Sequence, residues 1–244
     1  MTSLTEPGNP GYIDPFDRSL KRKLVLVMPT NMPPDVEKLF QELSDALTDI
    51  HFKWKLYCQL YCDEDSVELI NACAPIFFAN TQAVYADYIL LALSRLTDPS
   101  RTGRYSNLSL ERLRQAIDPA AHPSLSFTLA AAATSVEVAC ADFRTHRDKR
   151  IAHTDEGVSD GDVQLPAVYK RDIDDALKKM RDLMNAIVGE FDDAEVAYAD
   201  PIVPEDGTRL IKVLKAGRDA QIEKRRKRAE RWGVSTRTVD STNA

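Results

Sequence analysis

Glycine is scarce in this chain, with nine residues in 244. A β sandwich or barrel needs many tight turns, so that scarcity argues against a turn-rich β fold. The four cysteines, Cys58, Cys62, Cys73 and Cys140, lie inside apolar helical patterns and include no C-x-x-C pair. They read as small core residues of a reducing compartment, not as a disulfide framework. His51, Cys58 and Cys62 share a helix face, which leaves a metal site as the lesser alternative, because no fourth ligand clusters with them. A phosphate-cradling glycine loop and a Ser-His-Asp arrangement are both missing. No stretch approaches the roughly 18 uninterrupted apolar residues of a membrane span, and residues 1–20 are polar. The expectation is a cytoplasmic protein with no membrane partner, no metal and no cofactor.

What is present favours helices. The chain is 43% hydrophobic, enough for a sizeable core, and 29% charged. Its net charge of -6 conceals an asymmetry. Arg209 to Arg237 holds eleven Lys/Arg and three Asp/Glu, leaving 21 basic and 35 acidic residues for the rest. Any contact with a polyanion must therefore be local, since the body as a whole repels it.

Residues 1–32, rich in Pro, Gly, Asn and Thr, read as an extended arm. Pro33-Pro34-Asp35 starts a helix whose stripe runs Leu39, Leu43, Leu47, Ile50, Trp54, Tyr57 and Tyr61. Asp63 to Ser66 caps a second helix reaching about Leu96, kinked at Pro75. A polar loop to Asn107 and a short helix from Leu108 to Ile117 follow. One helix is expected from about Ser124 to Ala152, with Gly157 just past its end. Ile173, Leu177, Met180, Leu183, Ile187 and Phe191 mark the next buried face. The last helix, about Thr208 to Trp232, is apolar only at its start and contains Gly217, which weakens its continuity. The fold class is all-α: a helical bundle over 33–200, with a basic C-terminal helix and tail over 201–244. That tail is either a solvated, frayed helix or a sequence-independent grip on phosphates.

The chemistry concentrates in Arg147-Asp148-Lys149-Arg150-Ile151-Ala152-His153. Metal-independent RNA cleavage needs a group that moves a proton to or from the ribose and leaving oxygens, and another that offsets phosphate charge. His153 suits the first task and Arg147 the second. Lys149, Arg150 and His146 are candidate RNA-binding groups. On an ideal helix six steps of about 100° set Arg147 and His153 roughly 120° apart. Either the helix ends near Ile151 or a second subunit supplies the missing group.

Arg147 and His153, with polar Asp148 beside the arginine, match the R-x4-6-H motif of the HEPN superfamily. The string from Phe143 to Asp155 and the stretch from Arg95 to Leu110 resemble its AbiU-type abortive-infection branch, over about residues 35–195. The resemblance implies an all-α, HEPN-like bundle and a homodimer with the motif at a shared cleft. It also implies a metal-independent endoribonuclease in phage defence or of toxin type, with RNA as substrate. By motif position Arg147 and His153 are the catalytic pair and Asp148 occupies the polar slot that orients them. That slot usually holds Asn, so Asp148 stands to pair with Arg147 and blunt its hold on phosphate. An antitoxin or nucleotidyltransferase is the partner such proteins imply. The alternative is a non-catalytic HEPN dimer that binds a nucleotide, RNA or a partner protein.

Overall fold

The computed structural model describes residues 31–153, 155–199 and 206–232. The arm expected over 1–32 lies outside the described residues up to position 30, as does the tail beyond 232. Helix α1 (Pro34–Tyr61) carries Pro34 in its first turn, where a missing N–H costs nothing. It buries Val36, Phe40, Leu43, Leu47, Ile50 and Trp54.

The second expected helix is two. Helix α2 (Glu64–Cys73), capped by Asp63 on the Ser66 N–H, stops at Ala74, and α3 (Pro75–Leu96) starts afresh. A proline disfavours the helical region for the residue before it, and Ala74 accordingly sits at φ -158 and ψ 71. The chain therefore breaks where a kink was expected. After α3 the loop is not featureless: strands β1 (Arg101–Thr102) and β2 (Tyr105–Ser106) form a small antiparallel hairpin, with Gly103 at φ +58 in the turn. Helix α4 (Leu110–Ala116) follows, capped by Ser109.

The helix expected over 124–152 is also divided, into α5 (Pro123–Ala139) and α6 (Ala141–His146), continued by a π turn (Arg147–Ile151). Gly157 does not terminate it. Asp155 instead caps the one-turn helix α7 (Glu156–Ser159), with its carboxylate accepting the Val158 N–H. Helix α8 (Lys170–Asp192) lays Ile173, Leu177, Met180, Leu183 and Ile187 into the core, as its periodicity dictates, while Phe191 is only half-buried. Each such side chain contributes about 1.5–3 kcal/mol on burial. Together α1, α3, α4, α5, α6 and α8 enclose one continuous core.

Helix α9 (Gly207–Arg231) is unbroken through Gly217. Its start is clamped to α1: Gln59 accepts the Gly207 N–H at 3.0 Å and donates to Asp206 at 2.7 Å. A Cβ on Gly207 would stand 3.1 Å from the Gln59 Cβ, so a larger residue here would push Gln59 back by a few tenths of an ångström.

Two cysteines depart from expectation, since Cys62 and Cys73 are exposed while Cys140 is buried. Burial, then the neighbouring Cys62, pushes the Cys58 thiol up to about 12. His51 is buried on α1 and stacked on Tyr198, 6.4 Å between ring centres. It borders a cleft of about 440 Å³ shared with Trp54, Asp174 and Arg181. Burial, then Arg181, lowers its pKa to about 4. No three His, Cys, Asp or Glu side chains converge on a metal position among the described residues.

Candidate RNA-cleaving site

The motif segment is shaped by a bend before it and a widened turn within it. From α5 to the α6–π segment the axis turns by 50° at Cys140. Neither proline nor glycine lies there. Arg144 reaches back to the Glu137 carbonyl at 2.9 Å, the acceptor that a regular helix would offer to Ala141. A side chain inserted into the backbone ladder is a known source of such kinks. The next turn is wider still: the Ala152 N–H donates to the Arg147 carbonyl at 2.8 Å, five residues back. The helix ends at Ile151, so His153 stands beyond it in a bend. The helix end expected near Ile151 is present in the chain.

Three arginines spaced by three residues fasten this segment to α3 and the two residues that follow it. Arg144 donates to Thr97 Oγ1 at 3.0 Å, Arg147 Nη1 to Asp98 at 2.6 Å, and Arg150 to Asp87 at 2.5 Å. Asp98, two residues past the end of α3, thus holds Arg147. Asp148 takes the Nε of the same guanidinium at 2.7 Å. Hydrogen bonding to Asp148, with Asp98 behind it, raises the Arg147 pKa further above its ordinary value. The Arg147 side chain is 21% exposed, and its Nη2 makes no hydrogen bond among the described residues. A fixed guanidinium with one open edge results.

The remaining candidates divide. His153 is exposed, and neither ring nitrogen has a partner among the described residues. Lys149 pairs with Asp155 at 2.6 Å, and that contact holds the Asp155 carboxyl below its ordinary value. His146 points elsewhere: its Nε2 lies 2.8 Å from the Pro166 carbonyl, which assigns the proton to Nε2 because a carbonyl only accepts. Its Nδ1 is buried without a partner. Arg147 and Asp148 thus open the π turn and His153 follows two residues after its end, while Lys149, Arg150 and His146 are engaged within the fold. Asp87, Thr97, Asp98 and Arg144 were missed as parts of the site. Their acid–base complementarity with the motif was present, but 47 to 63 residues of sequence separate the partners.

The basic helix α9 has two unlike faces. Arg226 bridges Glu223 and Glu230 at 2.9 and 2.7 Å, and Lys227 approaches Glu223 at 3.3 Å. These cations, Arg226 first, lower the Glu223 carboxyl to about 2. Gln221, Lys224, Arg225 and Arg228, at steps of three and four, line a common surface on another side. No ion pair engages those three cations among the described residues.

Comparison with known proteins matches residues 33–211 to the HEPN family AbiU2, and the chain belongs to that family. The match spans all nine helices named above at least in part and includes the Arg147–His153 segment. No curated protein and no solved structure matched the chain.

Proposed function

We propose that this AbiU2-type HEPN protein is a metal-independent endoribonuclease, of phage-defence or toxin type, that acts in the cytoplasm as a homodimer. The observation carrying this reading is the pair on either side of the π turn: an exposed His153 two residues past its end, without a partner among the described residues, and at its start an Arg147 guanidinium held by two carboxylates with Nη2 unbonded among those residues. The imidazole takes the proton from a ribose 2′-hydroxyl, whose oxygen attacks phosphorus. The 5′-oxygen then leaves with a proton, giving a 2′,3′-cyclic phosphate and a 5′-hydroxyl. Nη2 of Arg147 offsets the charge gathering on the non-bridging oxygens. Asp98 fixes the guanidinium so that little reorganisation accompanies the reaction.

A second copy fits against α3. Ile76, Phe77, Val84 and Tyr88 leave an apolar stripe exposed there, with Ile76 78% accessible. The same helix buries Ile89, Leu90, Leu93 and Leu96 in the core, so its length and apolarity, sufficient for a membrane span, serve packing on one side. Asp87, which holds Arg150, lies between Val84 and Tyr88 in sequence, so a partner seated on this stripe adjoins the motif. An antitoxin or nucleotidyltransferase is the other partner class this reading admits.

One observation favours the non-catalytic reading: two carboxylates on one guanidinium leave a local net negative charge that opposes phosphate. Incubating the chain with RNA in EDTA separates the two. Cleavage leaving 2′,3′-cyclic ends, lost in His153→Ala, supports the nuclease. RNA or nucleotide binding without any cleavage supports the binder.

A further inference from the structure

We propose that the face of α9 carrying Lys224, Arg225 and Arg228, extended by Trp232, is a binding surface for single-stranded RNA. It supplies the phosphate grip that the motif segment lacks, and it rests on the nuclease reading only for which polymer is held. Three observations carry it. At the motif, Lys149 and Arg150, the cations nearest His153 in sequence, are spent on Asp155 and Asp87. On α9 charge is sorted by face, with Glu223 and Glu230 holding Arg226 and Lys227 while Lys224, Arg225 and Arg228 have no ion-pair partner among the described residues. Trp232 is 72% exposed, four residues after Arg228 and seven after Arg225, which sets its indole at the end of the same stripe.

That combination suits a single strand. Its phosphates meet a row of guanidinium and ammonium groups, and an unstacked base lies on the indole. A duplex keeps its bases stacked and offers the tryptophan nothing. A lipid surface fits poorly, because the exposed aliphatics of α9 form no stripe along it. Leu210 and Val213 lie one turn apart near the clamped start, and nine steps of about 100° place Ile222 on the face opposite Val213. The helix rises about 1.5 Å per residue, so Lys224 to Arg231 stands roughly 25–36 Å along its axis from the clamped Gly207. Only Gly207 is buried in the whole helix. The stripe is open to solvent over its length.

The test uses the full chain carrying His153→Ala, so that RNA survives, titrated with a labelled single-stranded oligonucleotide of about 20 nucleotides across salt concentrations. Arg225→Gln/Arg228→Gln is expected to weaken binding at least tenfold and to lower the slope of log K against log salt by about 1.4, at roughly 0.7 per phosphate contact. Arg226→Gln/Lys227→Gln removes the same formal charge from the paired face and is expected to weaken binding by less than threefold. Trp232→Ala is expected to weaken single-strand binding roughly five- to a hundredfold and duplex binding little. Equal effects of the two double substitutions, no RNA binding by the parent, or binding to phosphatidylserine vesicles in place of RNA would overturn the proposal. With His153 restored, Arg225→Gln/Arg228→Gln should cleave long RNA with a raised KM. No cleavage by the parent, with binding intact, sinks the nuclease reading alone.

Discussion

The motif segment from Arg144 to Arg150 and the stretch of α9 from Lys224 to Arg228 read alike as sequence, each a short run dense in Arg and Lys. In three dimensions they are opposites. Every arginine of the first is bound by α3 or the two residues after it, two of them to carboxylates, and its lysine is bound by Asp155. Three of the five cations of the second have no ion-pair partner among the described residues. The difference is set by the neighbours: α3 and its end bring Asp87 and Asp98 to the motif, whereas the ion pairs at the end of α9 use acids of its own helix. A count of cations along a chain therefore says little about surface potential until tertiary acids are placed. Near the chemistry, paired cations give a rigid, positioned guanidinium with little net charge. Away from it, unpaired cations give attraction without position. A nuclease that must hold a polymer and cleave one bond has use for both.

The contrast can be broken or sharpened in four ways, taken from the largest effect down. Arg147→Ala and His153→Ala should each lower RNA cleavage by about 10²–10⁴-fold, with the helical signal and oligomer size unchanged. Wild-type cleavage by both variants would mean that position without net charge performs no chemistry here. His51 offers a third state, a group kept neutral by burial instead of by partners. Its folded value of about 4 lies below the ordinary 6.5, so the unfolded chain takes up the proton first as pH falls. Stability should therefore be unaffected by this group above about pH 6.5 and decline from there to pH 4, by up to about 3 kcal/mol, as followed by urea unfolding. His51→Gln should flatten that decline, and an unchanged slope would assign it to other groups. Asp148→Asn removes one of the two carboxylates from Arg147 while keeping an acceptor for Nε. Cleavage should rise a few-fold, and a loss would show that Asp148 is needed in its charged form. Last, Arg150→Gln cuts the outermost tie to α3. With both partners more than a third exposed, the cost should be under about 1 kcal/mol in the unfolding midpoint.

The parts of this fold legible in the sequence were those decided by local rules. The α8 stripe followed from the 3.6-residue period, and Pro34 and Asp63 marked helix starts through chemistry confined to one turn. Pro75 announced a disturbance but not its size, because a kink becomes a break only if Ala74 finds an extended conformation that the surroundings accept. The division at Cys140 was invisible. Its cause is the Arg144 side chain, drawn between Thr97 and the Glu137 carbonyl by the placement of α3. For the same reason Arg147, His153 and Asp148 could be named from their motif while Asp98, 49 residues upstream of Arg147, could not. The cysteines misled because an apolar pattern gives a helix face, yet Cys62 and Cys73 sit near helix ends where that face leaves the core.

The π turn has a further consequence, for how far apart the two ends of the motif can be in sequence. A π turn is an α turn that has absorbed one more residue, with the flanking backbone hydrogen bonds left in place. Here it takes up residues between Arg147 and the helix end before the chain releases His153. A chain with one residue fewer can close the same stretch as a plain α turn and deliver its histidine to the same bend. Variable spacing between arginine and histidine is then elasticity in a single turn, and the two ends of the motif keep their places while the count between them changes.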